Sequence, residues 1–220
     1  MEGPGEGRAP SAAVLDYEAG NLRSAEKSLQ RAGFDAFVTD DARVAADADL
    51  VVVPGVGHFG QCVRQFDAAG FAPLIRDRVA EGRAVLGVCV GMQIMYEGSD
   101  EDAQVPGFGF LPGWVRRIPA SAPDGTAQRV PHMGWNVVVP TTDDPLLDGV
   151  AGERVYYVHS YYADPRAHAH VIAESRYGLA IPAIAREGSV VATQFHPEKS
   201  GDVGRRLLEN LRDEVAAGLG

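Results

Sequence analysis

Short apolar runs and segments of helical period alternate along the first hundred residues, and no other feature of the sequence restricts the fold as strongly. Residues 12–16, 34–39, 49–53 and 84–88 have the length and composition of strands. Between the first two, Leu22, Ala25, Leu29 and Ala32 mark one face of a helix that opens at Asn21, a good N-cap type, and closes at Gly33. Helical patterns also cover 61–68, 73–81 and 91–97. A chain that returns to lay a second strand parallel to the first needs a crossover of about a dozen residues, and these helices supply it. The alternation therefore predicts an α/β fold with a mostly parallel central sheet flanked by helices.

Beyond residue 113 the pattern changes. Nearly every apolar run is extended, at 114–118, 136–139, 155–160, 171–174, 184–186 and 190–195. Turn-formers such as Pro123-Asp124-Gly125 and Glu187-Gly188 separate them, which predicts antiparallel strands and hairpins added beside the parallel sheet. A last helix carries Val203, Leu207, Leu208, Leu211 and Val215 on one face. Residues 1–10, rich in Gly, Pro and Glu, are expected to form a disordered tail, with 11–220 a single domain. With 30 acidic residues against 20 Lys and Arg, the net charge is −10, which argues against a nucleic-acid partner, since duplex binding needs a basic face. No apolar run reaches the roughly 18 residues of a membrane span, and the N-terminus has no apolar signal region. Cys62 and Cys89 make no disulfide framework. A cytoplasmic protein with no membrane partner is expected.

Three segments carry candidate chemistry. Gly87-Val88-Cys89-Val90-Gly91 joins a buried strand to a helix, so the chain must turn sharply there. Glycines two residues to either side remove the Cβ atoms that would clash, which is the logic of a nucleophile elbow with sulfur in place of oxygen. Cys89 would sit at a helix N-terminus, where free N–H groups and the dipole favour thiolate, and the Val90 N–H would be one oxyanion donor. Cys62 has no such setting and reads as structural. In the segment Thr193-Gln194-Phe195-His196-Pro197-Glu198, Pro197 holds His196 out of helical conformation, and in extended chain residues two apart project to one side. His196 and Glu198 can then present a general base and the carboxylate that orients it, completing a triad with Cys89. Cys89 and His196 both fall at the C-terminal ends of predicted parallel strands, the edge where open α/β sheets bind ligands.

Pro54-Gly55-Val56-Gly57-His58-Phe59-Gly60 follows the run at 49–53. Gly55, Gly57 and Gly60 fit G-x-G-x-x-G, the mark of a dinucleotide-binding module, but they do not follow the first strand and no acidic ribose partner stands at a clear strand end. Glycines here also suit backbone N–H groups aimed at an oxyanion, and equally a plain turn. On this segment alone the alternatives stay open.

Taken in order, Asp16-Tyr17 with Gly20-Asn21-Leu22, PGVGHFG (54–60), GVCVGMQ (87–93), VPHMGWN (130–136), YYVHSYY (156–162) and ATQFHPEKSG (192–201) resemble the class-I, or triad, glutamine amidotransferases. Within that family the chain is most similar to the glutaminase subunits of imidazole glycerol phosphate synthases, over about residues 13–211. The resemblance implies that Cys89 attacks the side-chain amide of L-glutamine, releasing ammonia and leaving a thioester that water hydrolyses. His196 would move the proton and Glu198 would hold His196. Backbone groups at Val90, Gly55, Val56 and Gly57 would form the oxyanion hole, while Gln93, Glu101, Ser160 and Tyr161 would bind glutamine.

The same resemblance implies a heterodimer with a (β/α)8 cyclase subunit that receives the ammonia in histidine biosynthesis, with Asn21, Trp135 and Lys199 at the interface. No cofactor and no metal are implied, and His159, His168 and His170, scattered among strands, do not suggest a metal site. Glu18 departs from the family, which commonly has Gly there, and 119–129 is looser and more polar than the family core. An unrelated cysteine hydrolase would share the elbow and the histidine but gives no reason for PHMGWN or Gln93. The anthranilate synthase glutaminase usually carries His where Met92 stands and lacks the PHMGWN segment.

Overall fold

The computed structural model describes residues 8–218. In chain order its first half forms β1 (Ser11–Leu15), α1 (Leu22–Arg31), β2 (Asp35–Thr39), α2 (Ala42–Ala46), β3 (Leu50–Gly55), α3 (Phe59–Ala68), α4 (Phe71–Ala80), β4 (Val85–Cys89) and the short α5 (Val90–Gln93). The second half supplies β5 (Gly113–Arg117), β6 (His132–Val137), β7 (Val139–Pro140), β8 (Arg154–His159), β9 (Tyr161–Pro165), β10 (Val171–Tyr177), β11 (Leu179–Glu187), β12 (Val190–Thr193) and α6 (Gly201–Ala216). An eight-stranded sheet runs in the order β2-β1-β3-β4-β12-β11-β10-β7. Its first five strands are parallel, and β11, β10 and β7 extend it antiparallel. β5 with β9, and β6 with β8, pair as separate two-stranded sheets.

The α/β architecture with added hairpins is the one the alternation predicts. β1, β3 and β4 are buried along their whole length, and strands covered on both faces read as unbroken Ala, Val and Leu runs instead of alternations. In α6, Leu207, Leu208 and Leu211 are buried, each worth about 1.5–3 kcal/mol of transfer free energy. Tyr17 donates its hydroxyl to the Pro54 carbonyl, tying the end of β1 to the end of β3. Among the described residues, no helix is long and apolar enough to cross a membrane.

Several local readings are corrected. The helix expected over 91–97 ends at Gln93, because the carbonyls of Ile94, Met95, Tyr96 and Glu97 accept from the amides of Phe108, Leu111, Gly109 and Gly107. A returning loop has replaced the helical partners. Asn21 stands at the N-cap of α1 but makes no side-chain capping bond. The last parallel strand stops at Thr193 instead of 195, and Pro197–Lys199 forms a 3-10 turn, for which the fixed φ of Pro197 is already suited. α2 has only five residues, too few to show a period, and Asp41 caps it by accepting from the Arg43 amide at 2.8 Å. β9 follows β8 after Ser160 alone, with no Gly or Pro to announce the break.

Of the expected tail, 1–7 lie outside the described residues; Arg8 pairs with Asp49 at 3.0 Å, and the Pro10 carbonyl accepts from the Asp35 amide. Residues 119–129 are irregular apart from a bridge between Ser121 and Ala127. Glu18 has φ 64°, the left-handed region that favours glycine.

Candidate active site

Three adjacent parallel strands deliver the site at their C-terminal ends. Gly55 of β3 pairs with Cys89 of β4, and Thr193 of β12 pairs with Val88. Cys89 has φ 57° and ψ −110°, a conformation that costs a residue bearing a Cβ about 1–3 kcal/mol. Backbone packing enforces it. A Cβ on Gly91 would lie 1.9 Å from the Val53 carbonyl oxygen, and one on Gly55 would lie 2.3 Å from the Gly91 nitrogen. At Gly60 the obstacle is the Asp102 carboxylate, 2.1 Å from such an atom. Gly55 is thus required by the protein's own backbone packing, without a bound pyrophosphate, whereas the obstacle at Gly60 is a side chain that can move. Because α5 has four residues, the dipole expected behind Cys89 shrinks to the N–H groups of its first turn.

His196 is held by the loop around it. Its amide donates to the Tyr156 carbonyl at 3.1 Å, and its own carbonyl accepts from Ser200 Oγ, which in turn accepts from the Tyr156 amide at 3.0 Å. Glu198 Oε1 lies 2.8 Å from His196 Nδ1. The 3-10 turn, not the extended two-residue spacing read from the sequence, makes this contact, since the chain has left the strand before His196. Nε2 is buried with no atom in hydrogen-bonding geometry. Burial opposes a proton on the ring, but the neighbouring Cys89 and Glu198 outweigh it, and the His196 pKa is pushed up to about 9.

A cavity of about 330 Å³ opens over these groups, within the usual range for small-molecule sites. Its lining includes Cys89, His196, Val56, Gly57 and Val90 together with Gln93, Glu101, Ser160, Tyr161 and Lys199, and is completed by Pro131, Val158 and His159. Glu101 accepts from the Phe59 amide at 2.7 Å and so caps α3, whose N-cap residue His58 offers no side-chain bond. Gln93 donates to the Tyr161 carbonyl at 2.9 Å and to Gln194 Oε1 at 3.0 Å. A second, small cavity behind His196 and Glu198 is lined by Asn21 and Gly55. Trp135 is 52% exposed on β6 and meets the ring of Tyr156, the residue whose carbonyl holds His196. The three predicted interface residues therefore all lie around the His196 turn.

Sequence reasoning missed two groups. Gln194, fully buried, lies between Gln93 and Cys89, and its place two residues before His196 was the only signal available. His132 packs between Tyr157 and Tyr177 and meets His159 Nε2 through Nδ1 at 2.9 Å. Burial pulls the pKa of His132 down to about 4 and that of His159 to about 3, so both are neutral at pH 7. Cys62 is buried in α3, its thiol directed at the Val56 carbonyl and its pKa pushed up to about 12 by burial. Among the described residues, no group of three or more His, Cys, Asp or Glu could hold a metal ion.

The sequence matches the family described as glutamine amidotransferase class-I over residues 13–214. Among solved structures, a crystal structure of a glutamine amidotransferase superposes with a TM-score of 0.72 at 22% identity, covering 94% of this chain and 98% of that one. PurLQS from Thermotoga maritima shares the fold with a TM-score of 0.72 at 19% identity, covering 93% and 98%. The chain belongs to the class-I glutamine amidotransferases. Its relatives narrow the class further. It is 43% identical over 202 residues to the imidazole glycerol phosphate synthase subunit HisH of Syntrophotalea carbinolica, covering 91% of this chain and 98% of that one. The protein of the same name in Deinococcus radiodurans is 44% identical over 209 residues, covering 94% and 95%.

Proposed function

We propose that this chain is the glutaminase subunit of an imidazole glycerol phosphate synthase, hydrolysing L-glutamine to glutamate and ammonia for a (β/α)8 cyclase partner in the cytoplasm. The observation that supports this most is the convergence of a thiol, a carboxylate-held imidazole and a glycine-rich strand end on one cavity, from three neighbouring strands. Cys89 Sγ attacks the side-chain carbonyl carbon of glutamine after its proton has passed to His196. The N–H of Val90 and those of the Gly55–Gly57 segment stabilise the oxyanion, each such donor being worth about 2.7–4 kcal/mol. His196 then gives its proton to the departing nitrogen, ammonia leaves and a thioester remains. Water, deprotonated by His196, hydrolyses that thioester and restores the thiol. Glu198 keeps the ring oriented and stabilises its charged form throughout.

Gln93, Glu101, Ser160 and Tyr161 hold the substrate. Ammonia is protonated in neutral water and loses its nucleophilicity, so a subunit that releases it must do so against its partner. Trp135 and the 63% exposed Met133, on one strand beside the His196 turn, suit such a docking face, with Asn21 and Lys199 at its edge. Glutamate release by the full chain, alone and with a cognate cyclase subunit and its nucleotide ligand, tests the proposal. Low turnover alone, high turnover in the complex and loss of both in Cys89→Ala are expected. Undiminished turnover in the Cys89→Ala complex refutes the site.

A further inference from the structure

Gln194 is buried beside the nucleophile, and no step above uses it. Its orientation follows from hydrogen-bond polarity alone. The Tyr161 carbonyl can only accept, so Gln93 must turn its Nε2 toward it, at 2.9 Å. The second Nε2 proton of Gln93 goes to Gln194, at 3.0 Å, which must therefore present Oε1. That leaves the Gln194 NH2 as the group facing Cys89 Sγ, 3.9 Å away. The fixed end is itself braced: His159 Nδ1 donates to the same carbonyl at 2.8 Å, and neutral His159 accepts at Nε2 from His132. The Gln194 backbone is anchored as well, its amide donating to the Ala183 carbonyl at 3.0 Å.

We propose that Gln194 acts in the reaction as a hydrogen-bond donor to the Cys89 sulfur, its amide locked in the donating orientation by Gln93 and the Tyr161 carbonyl. The inference rests on Cys89 being the nucleophile. Gln194 stabilises the thiolate before attack and loses that bond as the carbon–sulfur bond forms; it gives up no proton, so His196 remains the sole proton carrier. Other titratable groups around the sulfur are His196 with Glu198 behind it, His159, Glu101, Tyr161 and Lys199 in the cavity wall, and Tyr17 and Cys62, both near enough to feel the charge on Cys89. Gln194, which does not titrate, is a donor whose amide cannot reverse without losing its buried bond from Gln93.

Alkylation of Cys89 by iodoacetamide in the full chain, followed across pH, tests the inference without the partner. Gln194→Leu removes the donor, and Gln194→Glu keeps the acceptor toward Gln93 while replacing the donor near sulfur. Both are expected to slow alkylation at pH 7 by about fivefold or more, the effect of one ordinary hydrogen bond, and to move the pH midpoint upward. With the partner present, kcat of Gln194→Glu falls more than its KM rises. Unchanged midpoints in both variants overturn the proposal. Should the variants fail to fold, the side-chain amide resonance of Gln194 in the unaltered chain is followed instead. It shifts as the Cys89–His196 pair titrates and stays still in Cys89→Ala, whereas an unmoved resonance in the unaltered chain overturns the proposal. Cys89→Ala abolishes turnover whether or not Gln194 contributes, so the two readings fail separately.

Discussion

Replacing Glu198 with Gln separates the charge behind His196 from the shape of the group that supplies it. The two side chains are 3% and 9% exposed and their contact is 2.8 Å, so water screens the interaction little. A pKa of about 9 in place of 6.5 corresponds to roughly 3 kcal/mol of preference for the protonated ring, contributed by Cys89 and Glu198 against the opposing effect of burial. A carboxamide keeps the volume but loses the charge, and its NH2 end, if turned to Nδ1, favours the tautomer with a proton already on Nε2. That tautomer cannot receive the thiol proton. Loss of a charge-assisted hydrogen bond worth about 1.5–3 kcal/mol lowers kcat by roughly 10- to 150-fold. Glutamate release in the complex measures it, and an NMR titration of the His196 ring gives the companion value, expected well below 9. Because the folded pKa is raised, the stabilisation is complete below pH 6.5 and is lost as pH rises through about 9, a loss that Glu198→Gln reduces. A kcat within twofold of the unaltered chain, together with an unmoved titration, would refute the reasoning.

Three further outcomes are expected. His132 and His159 have depressed folded pKa values, about 4 and about 3, so their stabilisation is present above pH 6.5 and is lost as pH falls through that window. The unfolding free energy from urea titrations should fall steeply between pH 6.5 and 4, by up to about 1.4 kcal/mol per pH unit for each ring, and a flat profile contradicts their neutral burial. Gly91→Ala drives a Cβ to 1.9 Å from the Val53 carbonyl and should destabilise the chain by about 1–3 kcal/mol or more while abolishing turnover; a Tm equal to that of the unaltered chain is the contrary result. Glu18→Gly relieves a left-handed residue, worth about 1–2 kcal/mol, against an unfolded-chain entropy cost of about 0.4–1 kcal/mol, so a small rise in Tm is expected and a fall counts against the strain at φ 64°.

Much of the site was legible because its signals are local. The glycines around Cys89 are spaced for a tight turn, and the close approaches at Gly87 and Gly91 are the clashes that spacing anticipates. The order of elements followed from periodicity, since burial on both faces gives unbroken apolar runs and burial on one face gives helical stripes. Where the reading fell short, an element was too short to show a period, as in α2, or a partner distant in sequence was responsible. Glu101 caps α3 from 42 residues away, and Gln194 meets Gln93 across 101.

The sequence by itself determined the strand–helix alternation, the sharp bend at Cys89 and the chemical types of the candidate triad, because backbone sterics and periodic burial act over a few neighbouring residues. Only the tertiary structure decided that α5 stops after one turn, that a 3-10 turn carries Glu198 to His196, and that Gln194 faces the sulfur with its NH2. The first and last depend on where a hydrogen-bonding group finds its partner once water is excluded, and that partner comes from another part of the chain. The turn is local, but the strand ends before it because the His196 amide and the Ser200 hydroxyl are held by Tyr156, about forty residues away in β8.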